Sequence, residues 1–197
     1  MAFYLGFGIV GKIFYAMAEK TTEEYFDSII ASALEAGVKK MEQYGTSWTS
    51  YRKKSLLKRM FNKGKRIVVI QETGKNLVGE TIKGEFKEIL TYAGLFGMMV
   101  EQNIPMHAEL PPEQVTKYRE QVFEKAKAIM QKKNHDYGEA WRGMDQDEIV
   151  DEIDVKIRRM LSMVKNKMPV DIDNVYDIIN YCAFALILIE EGVHTDM

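Results

Sequence analysis

Residues 39–48 read KKMEQYGTSW and residues 132–141 read KKNHDYGEAW. The two stretches share Lys-Lys, Tyr-Gly and Trp at equal spacing, 93 residues apart, and at the same offset Tyr25, Ala33, Lys63 and Arg66 meet Tyr118, Ala126, Lys156 and Arg159. A repeat of this length fixes the architecture before any single residue is interpreted. Further on the offset becomes 89: GEFKEILTYAGLFGMMVE at 84–101 aligns with DNVYDIINYCAFALILIEE at 173–191, which places Tyr92 on Tyr181 and implies a four-residue difference in the preceding loop. Each unit reads as helix, YGxxW loop, helix, loop, helix. The organisation expected is a first repeat over 17–102, a linker over 103–113 that holds three of the four prolines, and a second repeat over 114–197.

The helices follow from periodicity and punctuation. Thr21 or Thr22 caps a helix running to about Gln43, with Glu23 and Glu24 in its first turn, where carboxylates suit the dipole, and Gly45 just past its end. Gln114 to about His135 repeats the pattern. Ile149, Ile153, Ile157, Met160 and Val164 recur at three- and four-residue steps, one stripe facing a core. From Ile178 to Ile189 the run IINYCAFALILI has Asn180 as its one strongly polar side chain, so this helix is expected to be buried nearly all round. Only RIVVIQ (66–71) has strand character, and alignment with its helical counterpart overrules it. Short helices in tandem need each other's faces. The fold class is therefore all-α, a helical bundle built from two tandem, pseudo-equivalent repeats, an internal pseudo-dimer that leaves room for further homo-oligomerisation.

Composition narrows the function. The chain has 197 residues, 46% hydrophobic and 28% charged, and no apolar run reaches the roughly 20 residues of a bilayer helix, so no membrane association is expected. Lys and Arg number 27 against 29 Asp and Glu, a net charge of -2, which provides no basic excess for a polynucleotide and leaves a small nucleotide open. One cysteine, Cys182, fits a reducing cytoplasm and rules out an intramolecular disulfide framework. Residues 1–16 form an apolar extension of uncertain role that lacks the charged start of a secretory signal. The polar run after Met17 reads as an ordinary protein start, so Met17 is a candidate translation start and a packed extra segment is the alternative.

Candidate chemistry lies in the second repeat. Asn180 stands one turn after Asp177 on the apolar helix, and a buried polar group needs a partner: a metal, a ligand, or Lys156 or Arg159 on the facing helix. Asp151 with Asp154, and Asp177 with Asn180, form two i,i+3 pairs on two helices. Oxygen ligands converging from facing helices suit Mg²⁺, with substrate phosphate and water completing its octahedron. A solvated acidic face is the plainer reading of Asp147, Glu148, Asp151 and Glu152. Lys156 and Arg159, like Lys63 and Arg66, are candidate phosphate holders, or cations answering a helix dipole. Gly138 as a left-handed cap with Tyr137 and Trp141 packing explains the YGxxW loop structurally. His135 and Asp136 have Glu42 and Gln43 as counterparts, so their chemistry belongs to the second half alone. His107 and His194 are expected to be inert. No phosphate-binding glycine loop, HExxH or GxSxG occurs.

KNHDYGEAW, the D-x-x-x-x-K-x-x-R run at Asp151, Lys156 and Arg159, and DIINYxxFAL from Asp177 to Leu186 together resemble the nucleotide-modification-associated domain family, type one. The resemblance covers about residues 20–191, with the first repeat as the degenerate tandem copy. That family is distantly similar to the all-α NTP pyrophosphohydrolases of the MazG and dimeric dUTPase type, which set an E-x-x-E and an E-x-x-D pair around Mg²⁺. Asp151, Asp154, Asp177 and Asn180 fill the matching places, Asn180 replacing an acid; Lys58, Phe61, Glu88 and Thr91 stand there in the first half. The resemblance implies a cytoplasmic nucleotide-binding protein, and a Mg²⁺-dependent nucleoside triphosphate pyrophosphohydrolase in modified-nucleotide metabolism. Asp151, Asp154 and Asp177 would hold the metal, with Asp154, Asp177 and Asn180 catalytic. Lys133, His135, Asp136, Tyr137, Trp141, Lys156 and Arg159 would bind substrate. The alternative is a non-catalytic helical module for a modified nucleotide or a protein partner, with Asp177, Asn180 and Lys156 in an internal network.

Overall fold

A computed structural model describes residues 20–197, and the reading of residues 1–16 and Met17 falls outside them. Six α-helices make up the described residues: α1 (Thr22–Tyr44), α2 (Lys53–Thr73), α3 (Ile82–Glu101), α4 (Pro112–Tyr137), α5 (Gln146–Lys165) and α6 (Asp173–Glu190). Short 3-10 turns at Ser47–Ser50 and Ala140–Gly143 carry the two tryptophans. Helix α1 starts at a capping box: the Thr21 hydroxyl accepts from the Glu24 N–H at 3.2 Å, and the Glu24 carboxylate accepts from the Thr21 N–H at 2.7 Å. RIVVIQ lies inside α2, with Ile67 and Ile70 buried, because helical spacing puts both on the core side. Pro112 opens α4, where its missing N–H is not needed.

The repeat is a physical symmetry. Each helix of the first half packs against its own counterpart, α1 on α4, α2 on α5 and α3 on α6, the pattern of an isologous dimer fused into one chain. At the centre α6 touches α1, α3, α4 and α5, and from Ile178 to Ile189 every residue except Tyr181 is buried. Close approach of α4 to α3 depends on glycine. A Cβ on Gly94 would lie 2.6 Å from the ring of buried Phe123, and one on Gly97 would lie 2.8 Å from Val122. The linker is pinned to the first YGxxW turn, where the Thr49 hydroxyl donates to the Ala108 carbonyl at 3.1 Å. The C-terminal tail crosses back to the first half, where the Lys83 N–H at the start of α3 donates to the Asp196 carboxylate at 2.7 Å; within the second half the His194 ring nitrogen sits 3.0 Å from the Met144 carbonyl.

Gly94→Val is expected to cost about 3 kcal/mol by overpacking against Phe123, which lowers Tm by roughly 6–12 °C in a thermal denaturation scan. Gly143→Ala, with open space around the new methyl, serves as the control and leaves Tm within about 2 °C.

Candidate functional site

The second YGxxW turn builds a cavity. Helix α4 ends at Tyr137, and Gly138 (φ 59°) takes the left-handed cap. Glu139 follows with φ 57°, a strained setting for a residue with a Cβ. Arg142 holds it there, donating at 2.8 Å to the Glu139 carboxylate while reaching Glu191 at 2.9 Å and the Thr22 hydroxyl at 3.0 Å. The 3-10 turn throws Trp141 inward, where it stacks on Phe184 with centroids 4.3 Å apart, and Tyr181 meets the same phenyl ring edge-on at 6.2 Å. Tyr137 remains outside, 72% exposed, at the mouth. The resulting cavity has a volume of about 390 Å³ and is lined by Lys133, Asn134, Tyr137, Trp141, Met144, Asp177, Asn180, Tyr181 and Phe184, among others.

Two polar atoms in these walls lack partners. The Asn180 amide nitrogen donates to the Ala126 carbonyl at 3.0 Å, yet its buried carbonyl oxygen accepts nothing, and the buried Trp141 indole N–H donates to nothing. Such atoms cost free energy unless something satisfies them. Beside them Asp177 receives two ammonium groups, Lys133 at 2.6 Å and Lys156 at 2.8 Å, one on each carboxylate oxygen. Burial opposes ionisation of Asp177, but the hydrogen bonds and charges of the two lysines prevail and hold its carboxyl below the ordinary carboxylate value. Burial, with the charges of Glu152 and Asp177, pushes the Tyr181 phenol up to about 12.

The residues expected at the site divide into two groups. Lys133, Tyr137, Trp141, Asp177 and Asn180 line one cavity, and Lys156 reaches it through Asp177. The others do not meet there. His135 and Asp136 are strongly exposed and pair with each other at 3.1 Å, because α4 continues through Tyr137 and carries both side chains onto its outer face. Asp154 pairs with Arg158 one turn along α5 at 2.7 Å, while Asp151 and Arg159 are exposed on that helix. Among the described residues no group of three or more His, Cys, Asp or Glu side chains gathers to hold a metal. Asp154 and Asp177, two of the three residues expected to hold Mg²⁺, are each engaged by basic side chains, and Asp151 stands apart on the exposed face of α5. Tyr181, Phe184 and Met144 escaped the sequence reading, although the match of Tyr92 with Tyr181 was the signal for the first. The tie of Lys133 to Asp177 was missed as well; its signal was the recurrence of Lys40 and Glu88 at the equivalent places.

The first repeat has a counterpart. Trp48, Tyr44, Tyr92, Leu95, Lys40 and Thr91 line a smaller cavity of about 180 Å³, at the repeat positions of Trp141, Tyr137, Tyr181, Phe184, Lys133 and Asn180. Lys40 pairs with Glu88 at 2.9 Å, as Lys133 does with Asp177. Lys63 goes elsewhere than its counterpart Lys156: with Arg66 it holds the buried Glu85, at 3.3 Å from Lys63. The position of Glu85 is taken in the second half by the neutral Asn174, which donates to Asp171 at 3.0 Å.

Fold and cavities together define an all-α tandem-repeat protein with two related pockets, one per half. The family model of nucleotide modification associated domain 1 matches residues 40–100 and 133–189, one segment in each half, and the chain belongs to that family. No curated protein and no solved structure matches it.

Because folding depresses the Asp177 pKa, its ion pairs contribute stability above the ordinary carboxylate pKa and lose it as pH falls through the folded value. Asp177→Asn is therefore expected to flatten the acid limb of a stability-versus-pH curve below about pH 4, and an unchanged acid limb refutes the assignment. At pH 7 Lys156→Met, at the enclosed side of the cluster, is expected to cost about 1–3 kcal/mol, and Lys133→Met, at the exposed side, below about 1 kcal/mol, both read by urea denaturation.

Proposed function

We propose that the cavity of the second repeat binds a nucleotide, with the base against Tyr137, Trp141 and Tyr181 and the phosphates at Lys133 and Lys156. The observation that carries this reading is the pair of buried, unpartnered polar atoms in the walls, the Asn180 carbonyl oxygen and the Trp141 indole N–H. A nucleobase edge offers both a donor and an acceptor, and its face stacks on aromatic rings whatever the base. The cavity of about 390 Å³ lies within the roughly 300–1,000 Å³ of small-molecule pockets. The lysines support the same ligand. Asp177 neutralises one of its two lysines and Glu152 acts on Tyr181 in the same wall, so what the cavity offers a phosphate is the ammonium N–H donors of Lys133 and Lys156 rather than a net charge. The description of the family, nucleotide modification associated, agrees with this ligand class.

Hydrolysis is a separate matter. Pyrophosphohydrolase activity would need acidic side chains around Mg²⁺, and Asp154 and Asp177 are each engaged by basic side chains. The reading that fits the donors is a nucleotide-binding module.

Thermal denaturation of the full chain with a panel of NTPs and dNTPs, with and without Mg²⁺, tests it, with pyrophosphate release followed in the same wells. At a hundredfold excess over Kd, stabilisation of about 2.7 kcal/mol raises Tm by roughly 5–11 °C. That shift is expected without Mg²⁺, and Lys133→Met is expected to reduce it at equal nucleotide concentration. No shift with any nucleotide overturns binding. A shift that requires Mg²⁺ and releases pyrophosphate makes the protein an enzyme instead.

A further inference from the structure

Arg119, on α4, is 2% exposed, and among the described residues no carboxylate pairs with it. Its Nη2 donates to the Ala33 carbonyl at 3.3 Å, its guanidinium lies 5.6 Å from the Phe123 ring centroid, and its buried Nε has no partner. Nη1 fills a notch over Gly37, where a Cβ would stand 1.9 Å away. A buried charge without a counter-charge is among the most costly features a fold can carry. Burial alone pushes the guanidinium pKa down to about 10, which leaves it a cation at neutral pH.

This cation lines the cavity of the first repeat, beside Lys40 and Trp48. At the repeat offset of 93 residues, the counterparts of Arg119 and Gly37 are Phe26 and Met130, two buried apolar side chains. The exchange is matched on both sides: glycine opens the space that the guanidinium occupies. The indole N–H of Trp48 is also buried without a partner. Arg119, Lys40 and Trp48 thus line one cavity with hydrogen-bond donors; Lys40 is shared with Glu88 at 2.9 Å, so the uncompensated positive charge there is that of Arg119. The volume, about 180 Å³, is below the roughly 300 Å³ at which small-molecule pockets begin, so the occupant is compact.

We propose that the cavity of the first repeat is a second ligand site, selective for a compact oxyanion of the phosphate class, held by Arg119 and Lys40 against the indole N–H of Trp48. The same chemistry is met by free inorganic phosphate or by the phosphate of a nucleoside monophosphate entering from the Tyr44 side. A planar fork with several N–H donors suits the tetrahedral oxygens better than a point charge does.

The chain contains two tryptophans, one in each cavity, so ¹⁹F NMR of the full-length protein labelled with 5-fluorotryptophan reads the two sites separately. The spectrum of Trp48→Phe assigns the resonances. Inorganic phosphate, and in a second arm adenosine monophosphate, is titrated to about 10 mM at constant ionic strength set with chloride, a tenfold margin over a Kd of about 1 mM. The expected result is a saturable shift of the Trp48 resonance with phosphate, lost in Arg119→Met and weakened tenfold or more in Arg119→Lys. Response to the monophosphate alone also supports the site and names the esterified phosphate as its ligand. A still Trp48 resonance with both probes, an equal shift with chloride, or unchanged affinity in either Arg119 variant overturns the proposal. The lysine variant keeps the charge and carries the test if the methionine variant does not fold. A shift confined to Trp141 supports the second-repeat pocket and removes this one.

Discussion

An α-helix with no face for water sets the terms for everything else. Helix α6 buries all but one residue between Ile178 and Ile189, and each fully buried aliphatic or phenyl side chain contributes about 1.5–3 kcal/mol only if other elements cover it. Coverage on every side requires neighbours in more than one direction, and α1, α3, α4 and α5 supply them. The bends that bring α1 back to α2 and α4 back to α5 are the YGxxW turns, each closing with a tryptophan driven into the bundle. The cavities lie where those turns meet the central helices, so the pockets follow from the way the apolar helix is wrapped.

Within that common frame the halves differ in where charge is placed. Both keep a lysine from the first helix on a carboxylate from the third, Lys40 on Glu88 and Lys133 on Asp177. The lysine of the middle helix distinguishes them. In the first half Lys63 and Arg66 gather on Glu85, whose burial raises its carboxyl pKa against the pull of Lys63. In the second half that place holds neutral Asn174, and Lys156 turns to Asp177. One acidic position thus decides whether the second cation faces away from the pocket or stands at its edge. A further difference is the exchange of Phe26 and Met130 for Arg119 and Gly37, which puts a cation in the wall of the first cavity.

The fold was legible because its signals are local or repeated. Caps at Thr21 and Gly138, the apolar stripe of α5 and the repeat itself each bind sequence to backbone geometry within a few residues, and the repeat overruled the strand-like RIVVIQ. Half of the site was legible for the same reason: Asp177 and Asn180 are conspicuous on an apolar helix, and Tyr137 and Trp141 recur. Side-chain direction across helices was not. Spacing paired Asp154 with Asp151 and set the two against Asp177 and Asn180, but Asp154 is held by Arg158, one turn along its own helix. His135 and Asp136 depended on two residues of helix length, since a helix ending at His135 would have left them in the loop. Arg119 carried no motif, and only its counterpart Phe26 reveals it as unusual.

The fusion of the two halves has a consequence for how the molecule behaves on dilution. Partners that must find each other in solution come apart as concentration falls, and any pocket whose walls depend on both is lost with them. Here Arg119, from the second unit, forms part of the wall of the first unit's cavity, and the short segment between α3 and α4 keeps the units in permanent reach of each other. Both pockets therefore persist in a cell that holds only a few copies of the chain. A single codon change, moreover, alters one pocket and leaves its twin as it was.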